Sequence, residues 1–187
     1  MTVRRPVVLV GPPGSGKSTV GLLLARRLGV DYADADVDLE AETGRRISDI
    51  FADDGESVFR AIEEKIVAAG LGRYTGVYAL GGGAPLLETT RERLREHTVV
   101  FLNVGMADGV QRTGLSSARP LLVGVNPRAT YKALLEQRLP VYRDVATVEV
   151  DTTGRTPDEV VALIVERLSG EAVEQSPRQA SERSFVE

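Results

Sequence analysis

The sequence predicts an α/β fold around a central parallel sheet of five strands, on three observations. Strand-like apolar runs alternate with helical patterns along the chain. The first run, Val7-Val8-Leu9-Val10, is continuous rather than alternating, as a strand buried on both faces requires. It leads directly into Gly11-Pro12-Pro13-Gly14-Ser15-Gly16-Lys17-Ser18, which fills every fixed position of the G-x-x-x-x-G-K-[ST] phosphate-binding loop, a turn that joins a strand to a helix.

The elements follow in order. After the loop, Ser18 to Leu28 reads as a helix with Val20, Leu23, Leu24 and Leu28 on its buried face, and Gly29 ends it. Further strands are expected around Asp31 to Ala33, Val77 to Leu80, Thr98 to Val104 and Thr147 to Val150. A helix over Ser57 to Ala69 aligns Phe59, Ile62, Ile66 and Ala69. Another, Pro157 to Leu168, opens on Thr156-x-x-Glu159, a capping box with proline at the first helical position. His97 marks a helix end before Thr98 and is assigned no chemistry. Between Arg112 and Arg128 the periodicity lapses, and loops of that length in compact domains are often lids. Residues 170–187 are polar and aperiodic, so a disordered tail is expected there.

Composition bounds the function. At 187 residues with 42% hydrophobic content the chain supports one domain, residues 1–169, with no internal repeat. A net charge of -4 carries no basic footprint for nucleic acid, so anion affinity has to come from local clustering. The absence of cysteine excludes a disulfide framework and suits a cytoplasmic location. No apolar stretch reaches the roughly 18 residues a membrane span needs. Arg4-Arg5 and the run that follows do not make a signal peptide, because that run breaks at Gly11-Pro12-Pro13. No long apolar stripe is left over, which points to a monomer.

The phosphate loop makes a nucleoside triphosphate the first expected ligand. Its glycines let consecutive backbone N–H groups aim at phosphate oxygens, Lys17 adds a point charge toward the β- and γ-phosphates, and the Ser18 hydroxyl suits Mg²⁺. The helix N-terminus behind the loop reinforces the site. A guanine-reading N-K-x-D motif begins at neither Asn103 nor Asn126, and the D-x-x-G imitation Asp151-Thr152-Thr153-Gly154 comes too late for a switch element.

A second ligand is expected at the same sheet edge, where ligands of open α/β sheets gather. Asp34-Ala35-Asp36 is read as an extended segment whose carboxylates face apart and serve two ligands: Asp34 the Mg²⁺ shell through water, Asp36 a substrate hydroxyl, as acceptor and candidate base. Arg60, and Arg138 near a helix end, could clamp a carboxylate. Gly81-Gly82-Gly83 at a strand end implies close backbone approach to a ligand. The phosphate loop alone is also compatible with a gluconate-type or nucleoside monophosphate kinase, or with a nucleotide switch that does not turn over.

Taken together with Gly44-x-x-Ile47-x-x-Ile50-Phe51, Gly55-Glu56-x-x-Phe59-Arg60-x-x-Glu63 and Arg119-Pro120-Leu121-Leu122, these motifs resemble the shikimate kinase family from about Val7 to Leu168. The resemblance implies a three-layer P-loop kinase fold with a mobile lid, about 112–127, and a substrate-binding helical segment, about 34–62. It implies transfer of the ATP γ-phosphoryl group to the 3-hydroxyl of shikimate, a step toward chorismate and the aromatic amino acids, with Mg²⁺. It implies that Asp36, Arg60, the backbone of Gly81, Gly82 and Gly83, and Arg138 hold shikimate. Phe51 and Phe59 would wall that pocket, with Glu63 orienting Arg60. On the nucleotide side it implies that Gly14, Ser15, Gly16, Lys17, Ser18 and Thr19 wrap the phosphates, that Arg119 reaches over ATP from the lid, and that Arg112 and Arg155 neighbour the adenine. Lys17, Asp36 and Arg119 would carry the catalysis. Pro85-Leu86-Leu87 and the tail beyond Gly170 depart from the family pattern.

Overall fold

The computed structural model describes residues 5–113 and 126–174. Five strands, β1 (Val7–Val10), β2 (Tyr32–Asp34), β3 (Val77–Ala79), β4 (Thr98–Asn103) and β5 (Val148–Asp151), form one sheet in the order β2-β3-β1-β4-β5. Every pairing is parallel, with Val8 opposite Tyr78 on one side and Val99 on the other. The central position of β1 explains its unbroken apolar run: both faces and both edges are covered. Val8 and Leu9 are fully buried, each worth about 1.5–3 kcal/mol relative to exposure.

The strand period of two divides the core into layers. Val7 and Leu9 pack with Val77, Val100, Val148 and Val150 against α1 (Lys17–Leu28) and α8 (Pro157–Glu174). Val8 and Val10 pack with Tyr78, Val99 and Phe101 on the opposite face, against α4 (Gly55–Arg73), α5 (Glu88–Leu94) and α7 (Pro127–Val145). A third, small cluster joins α2 (Ala35–Thr43) and α3 (Ile47–Asp53) to α4 through Leu39, Ile50 and Phe59. Helix α6 (Met106–Thr113) follows β4.

Local signals behave as expected at several ends. Gly29 caps α1 in the left-handed conformation, its N–H directed at Ala25 O and Arg26 O. At α8 the capping box closes in both directions: Glu159 N donates to Thr156 Oγ1 at 3.3 Å, and Thr156 N donates to Glu159 Oε2 at 2.8 Å. The His97 backbone N donates to Leu94 O at 2.9 Å, finishing α5 just before β4.

Other expectations are corrected. Leu28 is exposed, because α1 ends as it passes the edge of the sheet. On α4, Phe59, Ile62 and Ile66 pack on the third cluster as expected, but Ala69 faces solvent and the buried line runs through Phe59, Glu63, Val67, Gly70 and Leu71 of a helix longer than expected. Gly170 does not end α8, which continues to Glu174; glycine costs a helix only about 1 kcal/mol. Residues 175–187, most of the expected tail, lie outside the described residues, as do residues 114–125 of the lid expected over about 112–127; its two ends are helical instead, 112–113 closing α6 and Asn126 capping α7. Gln137-Arg138-Leu139-Pro140 is not a helix end. Helix α7 runs through Pro140 to Val145, because Tyr131, Leu134, Leu135 and Tyr142 are buried on its inner side and offset the backbone bond that proline forgoes.

Candidate active site

Sheet order decides where ligands can gather. Because β1 lies between β3 and β4, chains leaving β1 and β3 diverge and open a crevice at their carboxyl ends. The phosphate loop leaves β1 there and the glycine triplet leaves β3. A cleft of roughly 800 Å³ results, lined from Gly14, Lys17 and Ser18 at one end to Asp36, Arg60 and Arg138 at the other.

At the loop end, Gly14 has φ +79°, and a Cβ there would lie 2.9 Å from Gly109 O, so glycine is required on both grounds. Lys17 Nζ donates to Gly11 O at 2.8 Å and Pro12 O at 3.1 Å. Ser15, within the loop, is fully buried, and Thr19 lines the cleft beside Ser18. Ser18 Oγ donates to Asp34 Oδ2 at 3.1 Å, and Tyr32 OH donates to the same oxygen at 2.9 Å. Burial first, and the Asp34 charge second, hold the Tyr32 phenol protonated far above neutrality, so it remains a donor. A hydroxyl and a carboxylate held together are hard oxygen donors of the kind Mg²⁺ takes, alongside waters and phosphate oxygens. Among the described residues no group of three His, Asp or Glu side chains offers an all-protein metal cage.

The Asp34-Ala35-Asp36 segment corrects the sequence reading. The strand stops at Asp34, which caps α2 by accepting from Asp36 N at 3.0 Å. A continuing strand would have put both carboxylates on one face. The turn into helix is what separates them, Asp34 toward Ser18 and Asp36 toward the glycine triplet. A Cβ on Gly81 would lie 3.0 Å from Asp36 Oδ1 and would overlap Glu63 Oε1.

Arg60 is fixed from α4 itself. Its guanidinium donates to Glu63 Oε2 at 2.6 Å and to Glu56 Oε1 at 3.1 Å, and lies 5.1 Å from the centre of the Phe59 ring. Phe51 stacks on Phe59 with ring centres 4.4 Å apart. Glu63 is only 2% exposed; burial raises its carboxyl pKa and the Arg60 charge opposes that rise. A Cβ on Gly83 would run into the Arg60 guanidinium. Arg138, 6% exposed, carries an Nε that is buried with no hydrogen-bond partner. An orphaned buried donor lining a cleft is what a pocket for an anionic ligand would contain.

All the predicted acceptor residues therefore meet in one place. Arg112 also reaches the cleft, 3.4 Å from Gly14 O and from Thr152 O. Arg155 lies further off, its Nε on Asp151 O at 3.0 Å. Arg119 lies outside the described residues. Sequence reasoning missed Val37, Glu40, Arg46, Ser48 and Leu134, which also line the cleft. Val37, Glu40, Arg46 and Ser48 sit on or beside the short helices α2 and α3, and Leu134 lies midway along α7, so nothing local marked them.

A phosphate loop sharing one sheet edge with a cup of two arginines and an aspartate defines a P-loop kinase of small molecules. The shikimate kinase family model matches residues 13–169. A shikimate kinase from Saccharopolyspora erythraea is 59% identical over 164 residues, 88% of this chain and 94% of that one. The chain belongs to the shikimate kinase family. A shikimate kinase from Thermobifida fusca is 52% identical over 90% of this chain and 97% of its own. Among solved structures, the shikimate kinase from Acinetobacter baumannii in complex with shikimate superposes with a TM-score of 0.88 at 34% identity, covering 91% of this chain and 96% of that one.

Proposed function

We propose that this chain carries out the reaction of its family, transfer of the ATP γ-phosphoryl group to the 3-hydroxyl of shikimate. One observation carries the reading: the phosphate loop and the Asp36, Arg60 and Arg138 cup open into the same cleft. Shikimate presents one carboxylate and three hydroxyls. Two guanidiniums and a carboxylate, with the N–H groups of Gly81, Gly82 and Gly83, leave few of those groups unpaired.

Phosphoryl transfer needs positioning and charge stabilisation more than covalent help. The amides of Gly14 to Thr19 and the Lys17 ammonium hold the phosphates and share the charge of the transferring group. Arg60 and Arg138 grip the acceptor carboxylate and so orient the ring, while Asp36 receives the hydroxyl hydrogen bond and aims its oxygen. Glu63 and Phe59 keep Arg60 in place, and Phe51 closes the apolar wall. Ser18, with Asp34 through water, would hold Mg²⁺, which neutralises phosphate charge when bound. Arg112 and Arg155 flank the nucleotide base, and Arg119 adds a further positive charge over ATP. The protein is a monomer working in the cytoplasm on this reading. Among the described residues no helix is long and apolar enough to cross a membrane.

A coupled ADP-release assay with shikimate, gluconate and AMP side by side tests the reading. Turnover with shikimate alone is the expected result. Faster turnover with gluconate or AMP, or ATP hydrolysis indifferent to all three, would overturn it.

A further inference from the structure

Two buried tyrosines of α7 take no part in the scheme above, yet each bonds the backbone of one half of the cleft. Tyr131, 1% exposed, donates its hydroxyl to Pro13 O in the phosphate loop at 2.8 Å. Tyr142, fully buried, donates to Gly82 O in the glycine turn at 2.5 Å. Between them lies Arg138. Spacings of seven and four residues keep the three side chains within a stripe about 40° wide, with the tyrosines about 16 Å apart along the axis.

We propose that Tyr131 and Tyr142 are positioning residues that make α7 a strut, setting the phosphate loop and the acceptor-binding turn at a fixed distance from each other. The glycine turn has little conformational preference of its own. Its three carbonyls are all taken by donors of the protein: Gly81 O by Ala84 N at 3.1 Å, Gly82 O by Tyr142, and Gly83 O by Leu86 N at 3.0 Å. What the turn can offer an anionic ligand is therefore N–H. Removal of the Tyr142 hydroxyl leaves the Gly82 carbonyl without its donor behind the wall of a cleft built for a carboxylate, beside Arg138, which that hydroxyl also faces and whose Nη1 is 3.5 Å from the position of a Gly82 Cβ. Burial pushes the Tyr142 phenol up to about 12, so it stays a donor at neutral pH. At the other end, Tyr131 is pressed so closely on Gly109 that a side chain there would overlap its ring, and Gly109 in turn abuts Gly14. The phosphate loop is thus held between α6 and α7.

The identity of the acceptor rests on the function proposed above; the strut does not. Tyr142→Phe should raise the shikimate KM about 3- to 10-fold and leave the ATP KM within twofold, and Tyr131→Phe should do the reverse, as loss of one neutral hydrogen bond requires. A second readout, ADP affinity by calorimetry, involves no acceptor: Tyr131→Phe should weaken it about 3- to 10-fold and Tyr142→Phe should leave it unchanged. A purely structural tyrosine would lower the melting temperature without splitting the two substrates. Unchanged constants in both variants, or an equal rise in both KM values, would overturn the strut. Should the wild type fail to use shikimate while the ADP split persists, the phosphate-loop end of the strut stands and the acceptor assignment falls.

Discussion

Ser18 Oγ donates to Asp34 Oδ2 at 3.1 Å, joining the first turn of α1 to the last residue of β2, although β3 separates β1 from β2 in the sheet. The contact is possible because both strands end at the same edge. It brings a hydroxyl and a carboxylate to the phosphate loop without distorting either strand. Asp34→Asn should raise the Mg²⁺ concentration for half-maximal activity about 10- to 100-fold, the usual cost of a group that holds a metal through another ligand. A magnesium titration at saturating ATP checks this, and an unchanged requirement would remove Asp34 from the metal's surroundings.

Arg138→Ala should raise the shikimate KM about 10- to 100-fold, from a charged hydrogen bond of about 1.5–3 kcal/mol. The ATP KM should stay within twofold, because the guanidinium lies at the acceptor end of the cleft. Initial rates with each substrate varied in turn decide the matter.

Gly83→Ala should act on the same pocket through displacement. The added methyl meets the end of the Arg60 side chain rather than backbone, so the fold should tolerate it. Arg60 must then leave Glu63 and Glu56. The expected outcome is a shikimate KM raised by roughly tenfold with little change in melting temperature. A loss of stability with an unchanged KM would mean that the turn, and not Arg60, needs the glycine.

Glu63 predicts a pH signature. Burial raises its native carboxyl pKa above the ordinary 4.5, with the Arg60 charge only partly opposing. The native state therefore binds a proton that the unfolded chain has released, and the contribution of this group to stability falls as pH rises from 4.5 through the raised native value. Denaturant melts of wild type and Glu63→Gln across that window should show a difference curve sloping downward with pH. A flat difference would show that Arg60 cancels the burial effect.

Thr156→Ala should cost about 1 kcal/mol by opening the reciprocal cap of α8, without altering either KM. Thermal melts should move by roughly 2–4 °C for a chain of this size.

Much of this site is legible in the order of the residues. The phosphate loop is contiguous, so its geometry is encoded in eight neighbouring positions. The capping box at Thr156 is equally local. Asp36, Arg60 and Arg138 stand out as residue types, yet nothing along the chain brings them together. A strand-to-helix transition separates Asp34 from Asp36, and two-residue periodicity misreads it. Arg138 lies in mid-helix because buried tyrosines and leucines override the breaking tendency of Pro140.

From the sequence alone came the α/β class, the five strands, the triphosphate loop and the residue types of an acidic-polyol pocket, since these depend on short-range periodicity and backbone chemistry. The strand order, the burial of Glu63 beneath Arg60, and the spanning of both half-sites by α7 were decided only in three dimensions. Those features depend on packing between residues as far apart as Pro13 and Tyr131, whose separation along the chain leaves no local trace.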